Sequence, residues 1–173
     1  CVLLLLSVCC GNAMSAEDPP WIAAAKGKLL CFAPNSEEKT CHEIDLIEKL
    51  ADGTFRISSE YLASEEPRVV QKWSGSITIE GTKACSDITR EVLASARFLE
   101  DGVELSATEA QPFLDAHIQK FTPLIDHRFC LDLTGDDPLF IVEFSIDGKA
   151  LPSATTRMRL VAPEDGYRLR PLN

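Results

Sequence analysis

At 173 residues, with 27 acidic side chains against 17 lysines and arginines, the chain carries a formal charge of −10. A surface of that sign repels phosphate backbones and anionic membranes, which argues against nucleic-acid binding. The length suits a single domain with a real core.

In chain order, residues 1–16 contain no charge and open with Val2-Leu3-Leu4-Leu5-Leu6-Ser7-Val8. This is the character of a signal-peptide core, too short to cross a bilayer as a stable helix. Gly11, Ala13, Ser15 and Ala16 supply the small residues of a cleavage site, expected within 13–16. A basic stretch and an initiator Met do not precede the apolar run, so the sequence is expected to begin inside the leader. Lipidation at Cys9 or Cys10 is disfavoured by Val8, which stands where a small residue is needed. The expected organisation is a removed signal peptide over 1–16, a linker over 17–26 and one domain over 27–173. No second apolar run is long enough for a span. The expected address is periplasmic or secreted.

Of the seven cysteines, Cys31, Cys41, Cys85 and Cys130 would remain after cleavage. Four cysteines permit three pairings. Cys31 with Cys41 would staple a local hairpin, and Cys85 with Cys130 would tie two distant segments. Zinc cysteines usually stand two to four residues apart within a pair, which these do not, so disulfides are expected and a metal is not.

Further on, Asp52-Gly53, Glu80-Gly81, Asp101-Gly102, Asp147-Gly148 and Asp165-Gly166 mark turns between alternating segments. A two-residue loop at Asp52-Gly53 would place Leu50 opposite Phe55 and Ile44 opposite Tyr61, all on one face. A short helix is expected over about 87–94. A long one over about 108–124 would be capped by Thr108 with Gln111, with an apolar stripe of Leu114, Ile118, Phe121 and Ile125. Pro112 falls in its first turn and Pro123 near its last. Leu139-Phe140-Ile141-Val142 is apolar on both faces, as a central strand would be. Two segments share the pattern F-x-x-D-G-x-x-L, from Phe98 and from Phe144, which reads as hairpin chemistry used twice. The expected fold is α+β: a mainly antiparallel sheet with one long helix packed on it and two disulfides.

The leading site candidate is C-terminal. Segments 156–162 and 167–171 flank Pro163-Glu164-Asp165-Gly166, and a hairpin there would pair Arg159 with Arg170. Alternation would then send Arg157, Arg159, Arg168 and Arg170 to one face, able to hold a phosphate, sulfate or carboxylate. Like charges directly opposite ask for a counter-charge. The plainer alternative is a solvated strand face. Among the histidines, His42 lacks a haem-attachment motif, while His117 or His127, with Asp115 or Asp126, could form an acid/base pair. Ser36-Glu37-Glu38-Lys39 matches a nucleophile motif without its companions. Asp132, Asp136 and Asp137 around Gly135 do not follow a calcium-loop order.

Pro19-Pro20-Trp21, the stretch from Gly27 through Pro34 to Cys41, Pro67-Arg68-Val69-Val70, Cys85, Cys130 and Pro163-Glu164-Asp165-Gly166-Tyr167 together resemble small exported proteins of alphaproteobacteria. The resemblance implies a periplasmic address and no activity, and it transfers no functional residue. The resulting expectation is an exported, non-catalytic domain, without cofactor, that recognises an anionic small molecule or an envelope protein through its arginine-lined hairpin. A small envelope hydrolase and a structural envelope subunit are the alternatives.

Overall fold

The computed structural model describes residues 20–136, 138–151 and 154–171. The expected leader, with Cys1, Cys9 and Cys10, lies outside the described residues, as does Asp137.

The chain is mostly antiparallel β-structure, as expected, but the sheet does not stay open. The strands are β1 (Lys26–Phe32), β2 (Thr40–Cys41), β3 (Glu43–Lys49), β4 (Phe55–Ser64), β5 (Val69–Glu80) and β6 (Lys83–Ile88). After them come β7 (Arg97–Glu100), β8 (Val103–Glu104), β9 (His127–Asp136), β10 (Leu139–Ile146), β11 (Lys149–Ala150), β12 (Thr156–Val161) and β13 (Arg168–Leu169). The ladder runs β4-β3-β1-β12-β10-β9-β6-β5, and β5 pairs back onto β4, which closes an eight-stranded barrel. Read along the chain, each barrel strand lies beside the next, an up-and-down meander. Closure removes the exposed edges that an open sheet would leave.

Charge pairs mark the outer wall. Glu48–Arg56, Glu60–Lys72, Lys83–Asp132 and Asp87–Arg128 are each direct cross-strand partners and each an ion pair. Being exposed, they add little stability, but they agree on which face points outward.

One end of the barrel is plugged. Helix α1 (Pro20–Ala24) lies within the stretch 17–26 assigned above to a linker, yet Trp21 and Ala24 are completely buried. They pack with Leu30, Ile47, Val142 and Met158, and Trp21 Nε1 donates to Thr82 O at 2.7 Å in the β5–β6 turn. Truncating a core tryptophan typically costs about 3–5 kcal/mol. Both disulfides form, Cys31–Cys41 across the β1–β3 connection and Cys85–Cys130 between paired residues of β6 and β9.

The other end is covered by helix. The expected short helix is α2 (Arg90–Ala94), started by Thr89, whose hydroxyl accepts from Val92 N. The long helix is α3 (Ala107–Phe121), continued by a 3-10 turn over Thr122–Leu124. Its capping box is not Thr108 with Gln111 but Ser106 with Glu109. That choice puts the box one turn before the apolar face and leaves Pro112 inside the helix. The most buried residue of that face is His117, flanked by half-buried Phe113, Leu114, Ile118 and Phe121.

Three further expectations are corrected. The β3–β4 loop has three residues, closed by Leu50 N to Thr54 O, because Gly53 takes a left-handed conformation (φ 87°). The register is therefore Lys49 opposite Phe55 and Glu43 opposite Tyr61, one residue away from the expected pairing. A slip of one exchanges the two faces of a strand. Leu139 and Ile141 are exposed at 37% and 48%, since β10 is a barrel strand with a solvent side rather than a strand covered on both faces. The third concerns the C-terminus. Strands β12 and β13 do not form a hairpin: β12 pairs with β1 and β10, while β13 runs parallel to β2. The repeated pattern does behave as one motif, because Leu105 N bonds Phe98 O and Leu151 N bonds Phe144 O across matching Asp-Gly turns.

Candidate functional site

The slipped register determines what lies inside. Glu43, Asp45 and Ile47 alternate inward along β3, facing Tyr61, Ser59 and Ile57 on β4. Ile44, expected to share a face with Tyr61, packs instead on the outer wall with Cys31, Cys41, Val161 and Tyr167. Below the level of Asp45 the interior is filled toward the α1 plug by Ile47, Leu30, Val142 and Met158. Toward the helical end it opens.

There a cavity of about 570 Å³ occupies the barrel. Its far wall is apolar, with Ile77 from β5, Ala84 and Ile88 from β6, Phe129 and Leu131 from β9 and Phe144 from β10. Phe121 and Leu124 close over it from the end of α3 and the following turn. The space exists because β5 divides its partners. Its last residues, Thr78–Glu80, pair with β6, whereas Val69–Lys72 pair with β7. The wall parts between β5 and β6, and α2 packs on β5 and α3 beside the gap.

The near wall is polar. Asp45 is 2% exposed and Ser59 is 1% exposed, and Asp45 Oδ1 and Ser59 Oγ each lack a hydrogen-bond partner among the described residues. Both line the cavity with Glu43, His42, Tyr61 and Lys120. Burial pushes the Asp45 carboxyl well above the usual carboxylate range, and the Glu43 charge adds to the shift. Burial raises Glu43 too, against the pull of Asp45, Lys120 and Ser59. Two carboxyls in one buried wall resist ionising together, so the pair keeps a proton into the range where free carboxyls have lost theirs.

Tyr61 links this wall to α3. Its hydroxyl lies 2.8 Å from His117 Nδ1, and Lys120 Nζ sits 5.2 Å above its ring centroid. Burial, then Lys120, lowers His117 to about 4, so the ring is neutral and can accept the tyrosine proton. Burial and the Glu43 charge raise the Tyr61 hydroxyl, which favours the neutral donor. A second recess of about 340 Å³, between β4 and α3, is lined by His117 and shares Tyr61 and Lys120 with the first.

The acid/base pairs that the sequence offered as an alternative are not assembled. His127 Nδ1 meets Asp147 Oδ2 at 2.6 Å on the exposed surface rather than Asp126, while Asp115 accepts from Gln111. His117 is engaged by Tyr61. Lys39 of the Ser-x-x-Lys match donates to Asp165 O. Asp132 accepts from Thr82 and pairs with Lys83, and no group of metal-binding side chains occurs among the described residues.

Three of the four arginines are distributed over two sheets, and Arg170 follows the end of β13. Arg157 stands opposite Ile141 and Arg159 opposite Cys31 on the barrel, while Arg168 stands opposite Thr40 on the outer strap. Arg159 reaches the Tyr167 hydroxyl at 3.4 Å, and Arg170 donates to Ala33 O at 3.1 Å. Both are half-buried and their Nε atoms have no partner among the described residues. Arg170 also lies close enough to His42 to reinforce the lowering caused by burial.

Sequence reasoning missed Glu43, Asp45, Ser59, Tyr61 and Lys120. The available signal was the regular alternation of Glu43, Asp45 and Ile47 against Ile57, Ser59 and Tyr61. It was masked by the expected pairing, which grouped Ile44 and Leu50 with Phe55 and Tyr61 on one face. No protein-family model matches the chain, and no curated protein or solved structure matches it either.

Proposed function

We propose that the chain is an exported binding protein that holds one small, mainly apolar molecule inside its barrel and performs no chemistry on it. The observation that carries this reading is the 570 Å³ cavity, apolar over most of its wall yet lined by residues with buried polar atoms that lack partners among the described residues. Eight-stranded barrels are just wide enough either to fill with side chains or to hold one small ligand, and binding cavities commonly span roughly 300–1,000 Å³. Export is supported by the leader-like start and by the two disulfides, which suit an oxidising compartment. Among the described residues no helix is long and apolar enough to cross a membrane. The outward charge pairs are the reverse of the apolar band that a membrane-spanning barrel presents to lipid.

Calorimetric titration with decanol tests the reading. One molecule should bind per chain, saturably. Ala84→Leu, which extends a 4% exposed cavity residue into the space, should weaken binding by at least about tenfold. Absence of saturable binding by decanol and by its amine and carboxylate analogues alike, or an unaffected Ala84→Leu variant, would refute the proposal.

A second reading is supported by Arg159 and Arg170, whose half-buried guanidinium groups make no ion pair among the described residues. They could hold an anionic group beside His42, although not through the hairpin expected from sequence. Thermal shifts with phosphate and sulfate, compared with a folded Arg159→Glu, Arg170→Glu variant, decide it. Equal shifts would dismiss the anion site.

A further inference from the structure

We propose that the polar end of the barrel's ligand is a protonated amine, seated against Glu43, Asp45 and Ser59. The proposal rests on the barrel-binding reading and specifies the head group. Three observations converge on it. Asp45 and Ser59 are cross-strand partners, both almost wholly buried and both lining the cavity, and Asp45 Oδ1 and Ser59 Oγ have no hydrogen-bond partner among the described residues. An ammonium brings three donors and no acceptor, which complements a wall made of carboxyl and hydroxyl oxygens.

Charge gives the second argument. The cavity wall contains two carboxyl groups, Glu43 and Asp45, against one ammonium, Lys120. His42, also in the wall, is held toward its neutral form by burial and by Arg170, and Tyr61 toward its neutral phenol. One further positive charge would balance the wall. A buried carboxylate without a counter-charge is costly, whereas one paired and hydrogen-bonded is tolerated. Lys120 supplies one counter-charge, and without a second the pair meets the remaining cost by retaining a proton.

Shape is the third. The oxygens lie on β3 and β4, and the facing wall is formed by Phe129, Leu131 and Phe144. A ligand filling this space carries its charge at one end and an aliphatic or aromatic body at the other. An anionic head would meet Glu43 and Asp45 directly.

Decylamine, decanol and decanoate share one tail and differ in head. Each is titrated calorimetrically at pH 7.5 into the disulfide-bonded chain and into Asp45→Asn and Glu43→Gln variants. Decylamine should bind at least about tenfold more tightly than decanol, with decanoate weakest. In either variant the decylamine-to-decanol ratio should fall to within about threefold of unity. If Asp45→Asn does not fold, Glu43→Gln gives the same readout. Decanol bound as tightly as decylamine, decanoate bound tightest, or a ratio preserved in the folded variants would each overturn the amine assignment and leave barrel binding standing. Failure of all three probes to bind would overturn both.

Discussion

Asp45→Asn is expected to change the pH dependence of stability. Asp45 is 2% exposed, and its folded carboxyl titrates well above the 3.8 of a free aspartate. Between those two values the unfolded chain has lost a proton that the folded chain still holds, so wild-type stability falls as pH rises. For one group the slope can reach about 1.4 kcal/mol per pH unit. For a chain of this length that corresponds to a Tm loss of roughly 3–6 °C per unit. Asparagine removes the titration while keeping shape and polarity. Melting curves for both proteins, measured from pH 4.5 to 8 by scanning calorimetry, should nearly coincide at the acid end. They should separate as pH rises, with the variant more stable, until the folded Asp45 value is reached. His117 titrates in both proteins and largely cancels in the difference, whereas Glu43 is coupled to Asp45 and its titration changes with the substitution. A gap that does not change with pH would refute the claim that a proton is held in the barrel wall.

His117 acts with the opposite sign. Its folded value of about 4, against 6.5 unfolded, means stability is lost as pH falls through that interval, by about 3 kcal/mol at most. His117→Gln, which keeps an acceptor for Tyr61, should remove this acid loss in the same melting series. Ser106→Ala deletes the capping box of α3 and should cost about 1 kcal/mol by urea denaturation, with the amine-binding wall untouched. Replacing Cys85 and Cys130 by alanine opens a loop of 45 positions and should cost about 4 kcal/mol on chain-entropy grounds. The same change at Cys31 and Cys41, a separation of 10, should cost about 3 kcal/mol.

Local chemistry was legible in the sequence. Each Asp-Gly or Glu-Gly pair does stand at a turn, because glycine supplies the positive φ those turns need, as at Gly53 and Gly102. The long helix announced itself by its periodicity, and the repeated F-x-x-D-G-x-x-L segments close with the same hydrogen bond. What failed depended on single-residue or long-range decisions. One extra loop residue before Thr54 moved Glu43 and Asp45 from the outside to the inside. Barrel closure needs β4 to bond β5 while β1 bonds β12, a pairing across most of the chain that no local pattern encodes. Trp21 looked like part of a linker because the core it plugs is built from strands that come later. The arginine hairpin failed for a related reason. Alternation ordered Arg157 and Arg159 correctly along one strand, but the competing partner for β13 was β2, over a hundred positions earlier.

The central claim is that the helical end of the barrel is a ligand cavity and not packed core. Apolar cavities of this kind take up xenon. Diffraction from xenon-pressurised crystals should show an ordered xenon atom bounded by Ile77, Phe129, Leu131 and Phe144. The contrary result would be Phe129 and Phe144 turned inward, filling the barrel, with no xenon bound.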